Sequence, residues 1–398
     1  MAAVPLQSLT LKPANPVQIW KARELAWTEW HRGLTLEEWM RREEQMDKCD
    51  FATNGNLTQW YLAARACAQL HSQTLLAPCD DPETGEIHAS CETYRRKVAI
   101  GQSSTTVIEG PIMAVGYAIA SVYVKPSLRR IGYAGHMMRL LHHVLASPLG
   151  LPRFPKEWGD PPVEYFGDAI PSCLYSEIGE FYTKCRSTPE SQGWTIVDKR
   201  STVWKTSQHT SDPSVSAKDD IKQFDERELN ELLKQELLLE EISHPLSLHK
   251  PTSAKRFTFL PAGGPLNYHL KLFQMTPWIR LAKASTWPPT SYGAHLINPF
   301  SSNVIFAAWT LEPLPSPSRL IITRMRCDEV CLDKLVSAAL DAAVNAGMDL
   351  VEVWGLPGEL VYAATASGGR TFERDERWPS VMWYGAPGED VEWTNNEE

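Results

Sequence analysis

The hydrophobic pattern changes period between Val115 and Leu145. Val115–Val124 (VGYAIASVYV) is almost continuously apolar, which predicts a central strand buried on both faces. A short basic turn follows. Then Met137, Leu140, Leu141, Val144 and Leu145 recur at three- and four-residue spacing, which predicts an amphipathic helix with one buried face. Upstream, LQSLTLK, LTQWYLAAR and IHASCETYRRKVAI read as strands, the last entered through the turn-rich DDPETGE. Pro16 to His31 and Thr35 to Met46 read as helices. Thr35 is a plausible N-cap and Glu38 stands three residues on, the spacing of a capping box. Downstream come a Pro-rich loop, a strand at AIPSCLYS, a short helix at IGEFYTKC and a closing strand at GWTIVDKRSTVWK.

The pattern then lapses. Lys205 to Lys222 is polar and Ser/Thr-rich, which predicts a linker. The expected organisation is a first domain over 1–205, a linker over 206–222 and a C-terminal α/β lobe over 223–398. In that lobe FDERELNELLKQELLLEEI reads as a helix, and VIFAAWTL and RLIITRMRC as paired strands. Glu329 to Ala346 is an amphipathic helix stopped by Gly347, and DLVEVWGL is a strand after it. Strand, strand, helix, strand repeats the order of the first domain, so the lobe is expected to be a related half that closes the substrate cleft. Deleting 206–398 should then abolish turnover or cofactor binding.

A chain of 398 residues exceeds the roughly 100–200 of one domain, which supports two. Composition is that of a soluble globular protein, 43% hydrophobic and 22% charged. A net charge of -9 disfavours nucleic acid or an anionic membrane as the main partner. The eight cysteines form no CxxC pair, so no metal site is expected. Without a secretory leader or membrane span in the pattern, they read as reduced cytoplasmic thiols. His142 and His143 are adjacent on a helix and do not share a face, which argues against metal binding.

The turn between strand and helix carries the candidate chemistry. A helix N-terminus presents unpaired backbone N–H groups and partial positive charge, which suits a pyrophosphate. Gly132 removes a side chain where phosphate oxygens would approach, Ala134 keeps the next approach narrow, and Arg129 and Arg130 add charge. The turn is neither a Walker A loop nor GxGxxG. Arg129-Arg130-Ile131-Gly132-Tyr133-Ala134 resembles the R/Q-x-x-G-x-G/A motif of the GCN5-related N-acetyltransferases (GNAT). SCLYSEIGEFYTKC with the later Gly193-Trp194 resembles that family's fifth strand and following helix. CETYRR, IASVYVKPSLRRIGYAGHMM and LYSEIGEFY together look like fungal lysine N6-acetyltransferase-like proteins.

The resemblance implies a GNAT fold: an α/β (α+β) domain whose mixed central sheet is flanked by helices, followed by a degenerate GNAT-like lobe. It implies acetyl-CoA as co-substrate, held by Arg129, Arg130, Ile131, Gly132, Tyr133 and Ala134. Backbone N–H groups near Val122, Tyr123 and Val124 would face the thioester. One acetyl-CoA site is expected, because Asp328 and Glu329 at the corresponding turn of the second lobe would repel a pyrophosphate. It implies a small-molecule amine as acceptor, L-lysine at N6 first. Another amine, or a decayed binding protein, are the alternatives.

Acyl transfer needs a neutral amine, and a lysine-type amine is neutral to only about one part in a thousand at pH 7. A base is therefore useful. Glu92, Glu109 and Glu177 lie beside predicted strand ends and are the candidate carboxylates, Glu92 and Glu177 as bases and Glu109 as a substrate ligand. By resemblance, Tyr182 would protonate the leaving thiolate. Tyr175 is a candidate pocket wall, like Trp194. His88 is an ordinary strand histidine by this reading, and Cys173 lacks a nearby histidine to activate it.

Overall fold

A computed structural model of the chain describes residues 4–65, 87–101, 111–162, 166–210, 220–234, 254–261, 265–275, 291–296, 305–313, 316–386 and 388–394. In chain order the strands are β1 (Leu9–Pro13), β2 (Leu57–Ala64), β3 (Ala89–Ile100), β4 (Ile112–Tyr123), β5 (Ala169–Ser176), β6 (Thr195–Ile196), β7 (Arg200–Lys205), β8 (Ile221–Phe224), β9 (Lys255–Phe259), β10 (Gly293–Leu296), β11 (Ile305–Glu312), β12 (Arg319–Arg326), β13 (Leu350–Trp354), β14 (Arg370–Glu373), β15 (Trp378–Trp383) and β16 (Val391–Trp393). The α-helices are α1 (Pro16–Trp30), α2 (Leu36–Met46), α3 (Tyr133–Leu145), α4 (Glu226–Lys234), α5 (Pro265–Met275), α6 (Glu329–Asn345) and α7 (Gly358–Ala366). No helix among the described residues is long and apolar enough to cross a membrane. The elements form two compact units: 1–97, 114–197 and 376–389 make the first, and 98–113, 198–375 and 390–398 the second.

The sheet of the first unit runs β1-β2-β3-β4-β5-β15-β6. β1, β2 and β3 pair antiparallel, β4 and β5 parallel, and β15 antiparallel to both β5 and β6. α3 covers one face. Its Met137, Leu140, Leu141 and Val144 are buried in one cluster with Leu9, Leu11, Trp60, Leu62, Cys91 and Tyr117. This is the apolar stripe read from the sequence. Side chains alternate across a strand, so Glu92, next to Cys91, faces the opposite side of the sheet. α1 and α2 both start with capping boxes, Asn15 with Gln18 and Thr35 with Glu38. Arg23 of α1 donates both guanidinium NH groups to Asp47 just past α2, at 2.8 and 2.6 Å.

His142 anchors the inner side of α3. Its Nε2 lies 2.8 Å from the Cys185 carbonyl, which can only accept, so Nε2 carries the proton. Nδ1 therefore accepts from the Tyr384 hydroxyl at 2.9 Å. That hydroxyl meets Ser172 Oγ at 3.0 Å, and Ser172 Oγ accepts from Trp194 Nε1 at 3.0 Å. Burial lowers the His142 pKa to about 3, so the ring stays neutral.

The predicted closing strand is two strands. Asp198 Oδ1 accepts the Arg200 backbone N–H at 2.9 Å and its carboxylate also takes the Arg200 guanidinium. Such local bonding competes with a strand ladder. The chain breaks between β6 and β7, and the two lie in different sheets.

The sheet of the second unit runs β14-β7-β13-β12-β11-β10-β8, while β9 pairs parallel with β16 and antiparallel with the end of β3, Val98↔Phe259 to Ile100↔Phe257. β11 and β12 pair antiparallel as predicted, and β12, α6 and β13 form a parallel crossover like β4, α3 and β5. The two strands that follow β6 and β14 in sequence are exchanged. β7 lies between β13 and β14, and β15 lies between β5 and β6. At the start of α6 the Asp328 carboxylate accepts the Cys331 backbone N–H at 2.8 Å. It occupies the helix end that an anion would need.

Candidate active site

β4 is interrupted at Ser121, which has φ 53. Tyr117 and Ile119 sit in the cluster beneath α3. Continued alternation would send residue 121 the same way. Instead Ser121 Oγ donates to Glu92 Oε2 at 2.7 Å, on the other face. The described register between β4 and β5 ends at Ala118↔Cys173, yet β4 continues to Tyr123 and β5 to Ser176. Both strands therefore run on past the last β4–β5 pair, and Val122 and Tyr123, with Val124 just after β4, lie beyond it. Tyr123 is buried, 5.7 Å edge-on from the Trp30 ring, so only its backbone is available to a ligand.

The turn comes next. Gly132 is the N-cap of α3 with φ 103 and ψ 5, and no side chain caps the helix. Left-handed backbone favours glycine. A Cβ at Gly132 would stand 3.4 Å from Leu6 Cδ1. The first N–H groups of α3, from Tyr133 and Ala134, thus stay open to an anion. The Tyr133 side chain is buried and its hydroxyl accepts the Val4 N–H at 3.0 Å, so it contributes backbone only. Arg129 is turned back: its Nε donates to the Val124 carbonyl at 2.9 Å and its NH2 pairs with Glu29. Arg130 is exposed, with φ 66, and Ile131 packs partly against the α3 cluster. Replacing Gly132 by Glu adds a carboxylate and a strained backbone at this point. For the acetyl-CoA that the sequence resemblance implies, the expected result is at least a tenfold rise in KM, with the melting temperature falling by only a few degrees. Steady-state kinetics beside thermal unfolding checks it.

Glu92 is the buried carboxylate of the site. Its Oε2 also accepts the Tyr94 hydroxyl at 3.0 Å. Burial, and then the charge of Glu43, raise its pKa; the field of Arg23 and the Ser121 and Tyr94 hydrogen bonds oppose this. A carboxyl raised toward neutrality is suited to taking and returning a proton. Arg23 itself is held charged. Burial works against its charge, but Asp47, Glu92 and Glu43 outweigh that.

Tyr182 lies in a 3-10 turn, Gly179–Lys184, buried in the α3-side cluster. Its carbonyl accepts the Trp194 N–H at 3.2 Å, so the ten residues between Tyr182 and Gly193 loop out and the two motif pieces meet. Burial keeps the phenol protonated well past its ordinary range. Its hydroxyl makes no hydrogen bond among the described residues. Glu177 follows β5, is 60% exposed, and has Oε1 3.5 Å from Arg377 Nε. Tyr175 is half-buried on β5, opposite Pro379 of β15. Glu109 lies outside the described residues. The Cys173 thiol is buried and raised to about 12, which leaves it inert. His88 is buried with its ring centroid 4.9 Å from that of Tyr133.

The structure thus joins Glu92 to the β4 interruption, while Tyr182 is placed on the α3 side and Glu177 beside Arg377. The sequence reading missed Ser121, Tyr94 and Arg23. CETYRR holds Glu92 and Tyr94 two residues apart, hence on one face, and that spacing was the available signal.

Residues 202–398 match the LYC1 GNAT-like C-terminal domain. Among solved structures, the fold is similar to a conserved protein of unknown function from Enterococcus faecalis, a probable N-acyltransferase. That likeness is 9% identical over 94% of this chain and 72% of that chain, with a TM-score of 0.52. A GCN5-related N-acetyltransferase from Anabaena variabilis aligns at 10% identity over 95% of this chain and 73% of that chain, with a TM-score of 0.48. No curated protein matches the chain in sequence.

Proposed function

From a chain with the GNAT fold, whose residues 202–398 match the LYC1 GNAT-like C-terminal domain, we propose an acetyl-CoA-dependent N-acetyltransferase acting on a small-molecule amine, with L-lysine N6 as the first acceptor. The observation that carries it is Glu92, a buried carboxylate tied to the interrupted strand where β4 parts from β5.

The N–H groups after Gly132 hold the pyrophosphate, with Arg130 beside them. Backbone N–H groups among Val122–Val124 polarise the thioester carbonyl as negative charge develops on its oxygen. Glu92 accepts a proton from the acceptor ammonium, and the freed amine attacks the carbonyl carbon. A C–N bond forms and the C–S bond breaks. Tyr182 gives its proton to the departing thiolate, and the second proton that the nitrogen sheds as it becomes an amide returns to the phenol, while Glu92 releases its own to solvent. An opening between two strands is accessible from both faces of the sheet, so a base on one face and an acid on the other can serve the same thioester.

The test is acetyl-CoA turnover with free L-lysine beside a panel of polyamines and other amino acids, with product detected by mass spectrometry. A lysine-dependent product carrying one acetyl group, located at N6 by fragmentation, is the expected result. Product from another amine alone removes lysine. No product from any amine removes the enzyme reading.

A further inference from the structure

We infer that Ser121 is a positioning residue for the proposed transfer: its hydroxyl fixes Glu92 against the interrupted strand and leaves the second carboxylate oxygen for the acceptor amine. The inference rests on Glu92 acting as the base.

Three observations carry it. Ser121 Oγ and the Tyr94 hydroxyl both donate to Oε2, at 2.7 and 3.0 Å. Among the described residues no donor reaches Oε1. Two donors on one oxygen fix the plane of the carboxylate, so Oε1 keeps one direction. The third observation is the backbone. A non-glycine residue in left-handed conformation costs about 1 kcal/mol or more. Glycine would adopt φ 53 at no such cost, but it carries no hydroxyl. The serine accepts the strain and supplies the donor. Its peptide also begins the stretch from Val122 to Val124 assigned above to the thioester. One residue therefore sets both the base and the backbone against which it works.

The charged and titratable groups around Glu92 come from three other elements and its own. Arg23 reaches it from α1 and Glu43 from α2, Asp47 balances Arg23, Ser121 belongs to β4, and Tyr94 shares β3. Removing the Ser121 hydroxyl leaves all the others in place. It withdraws one stabilising bond from the charged form, so Glu92 holds its proton to higher pH.

The experiment compares Ser121→Ala and Ser121→Gly in the full chain. Both lack the hydroxyl, and only glycine relaxes the backbone. In both, kcat at neutral pH should fall about tenfold, the size of one charge-assisted hydrogen bond. The acidic limb of the kcat/KM profile should move to higher pH, and the KM for acetyl-CoA should stay unchanged. A second readout does not need turnover: the carboxyl carbon of Glu92 is followed by NMR in glutamate-labelled protein, its signal assigned by its loss in Glu92→Gln. Its titration should move upward in both variants. An unmoved titration and pH profile in both would overturn the inference while Glu92→Gln remained inactive. So would a slow Ser121→Ala beside a Ser121→Gly of full activity, which would assign the effect to backbone strain. Full turnover by Glu92→Gln would remove the base itself, and the inference with it.

Discussion

Glu92→Gln is expected to lower kcat by about 10²- to 10⁴-fold, the usual range for a lost general base, with the KM for acetyl-CoA within about twofold of the parent. The substitution preserves volume. The amide oxygen can still accept from Ser121 and Tyr94, so the local hydrogen bonds survive. Arg23 keeps both bonds to Asp47 and is not left as a lone buried charge. The fold should therefore hold, and the removed burial cost of a carboxylate makes a melting temperature equal to or above the parent the expected control. In the parent, Glu92 takes up its proton at a pH above the ordinary carboxylate range, because burial and Glu43 raise its pKa. Activity should accordingly fall on the acidic side through that raised value, and the limb should vanish in the variant. A kcat within tenfold of the parent would pass the deprotonation to water.

Local patterns made much of this molecule legible. The strand–turn–helix from Val115 to Leu145 declares itself by a change of period, because the buried faces of strands and helices repeat differently. Thr35 with Glu38 and the stripe on α6 are equally local, and the structure shows both. Gly132 could be read because left-handed backbone strongly selects for it. Ser121 could not, since nothing in ASVYV marks a serine with positive φ. Glu92 was one of three comparable carboxylates until the fold set Ser121, Arg23 and Glu43 around it. His142 looked like half of a histidine pair, and its partner Tyr384 lies 242 residues away. Non-local pairings of this kind leave no trace in hydrophobic period. For the same reason GWTIVDKRSTVWK read as one strand: its apolar content runs through, and the Asp198–Arg200 bond that breaks it is a side-chain effect.

Ending the chain at Asp375 is expected to abolish acetyl-CoA binding and cooperative unfolding of the first unit, although every residue from Arg129 to Ala134 and Glu92 remains. The reason is β15. It pairs with β5 from Trp378↔Ser176 to Trp383↔Pro171 and also holds β6. Its loss bares an edge of β5, the strand that parts from β4 at the site. It also removes Tyr384, whose hydroxyl serves His142 Nδ1 and Ser172 Oγ, both fully buried. Each buried polar atom left without a partner costs about 1–3 kcal/mol. Trp194 Nε1 still reaches Ser172 Oγ, so His142 Nδ1 is the atom orphaned; domains hold about 5–15 kcal/mol in all, and that loss together with the pairing of β15 to both β5 and β6 exceeds what the unit can lose. Tyr384→Phe gives the graded form: the strand stays, the hydroxyl goes, and the melting temperature should drop by several degrees with acetyl-CoA affinity retained. The same reasoning changes what a deletion of 206–398 can reveal. That deletion also removes β15, so its inactivity follows from a broken sheet and does not require a cleft shared between lobes. The informative chain joins residues 1–197 to 376–389 through a flexible linker. If it binds acetyl-CoA, measured by calorimetry, but does not turn over, the second unit serves catalysis. If the chain ending at Asp375 binds acetyl-CoA as the parent does, β15 is dispensable and this account of the first unit fails.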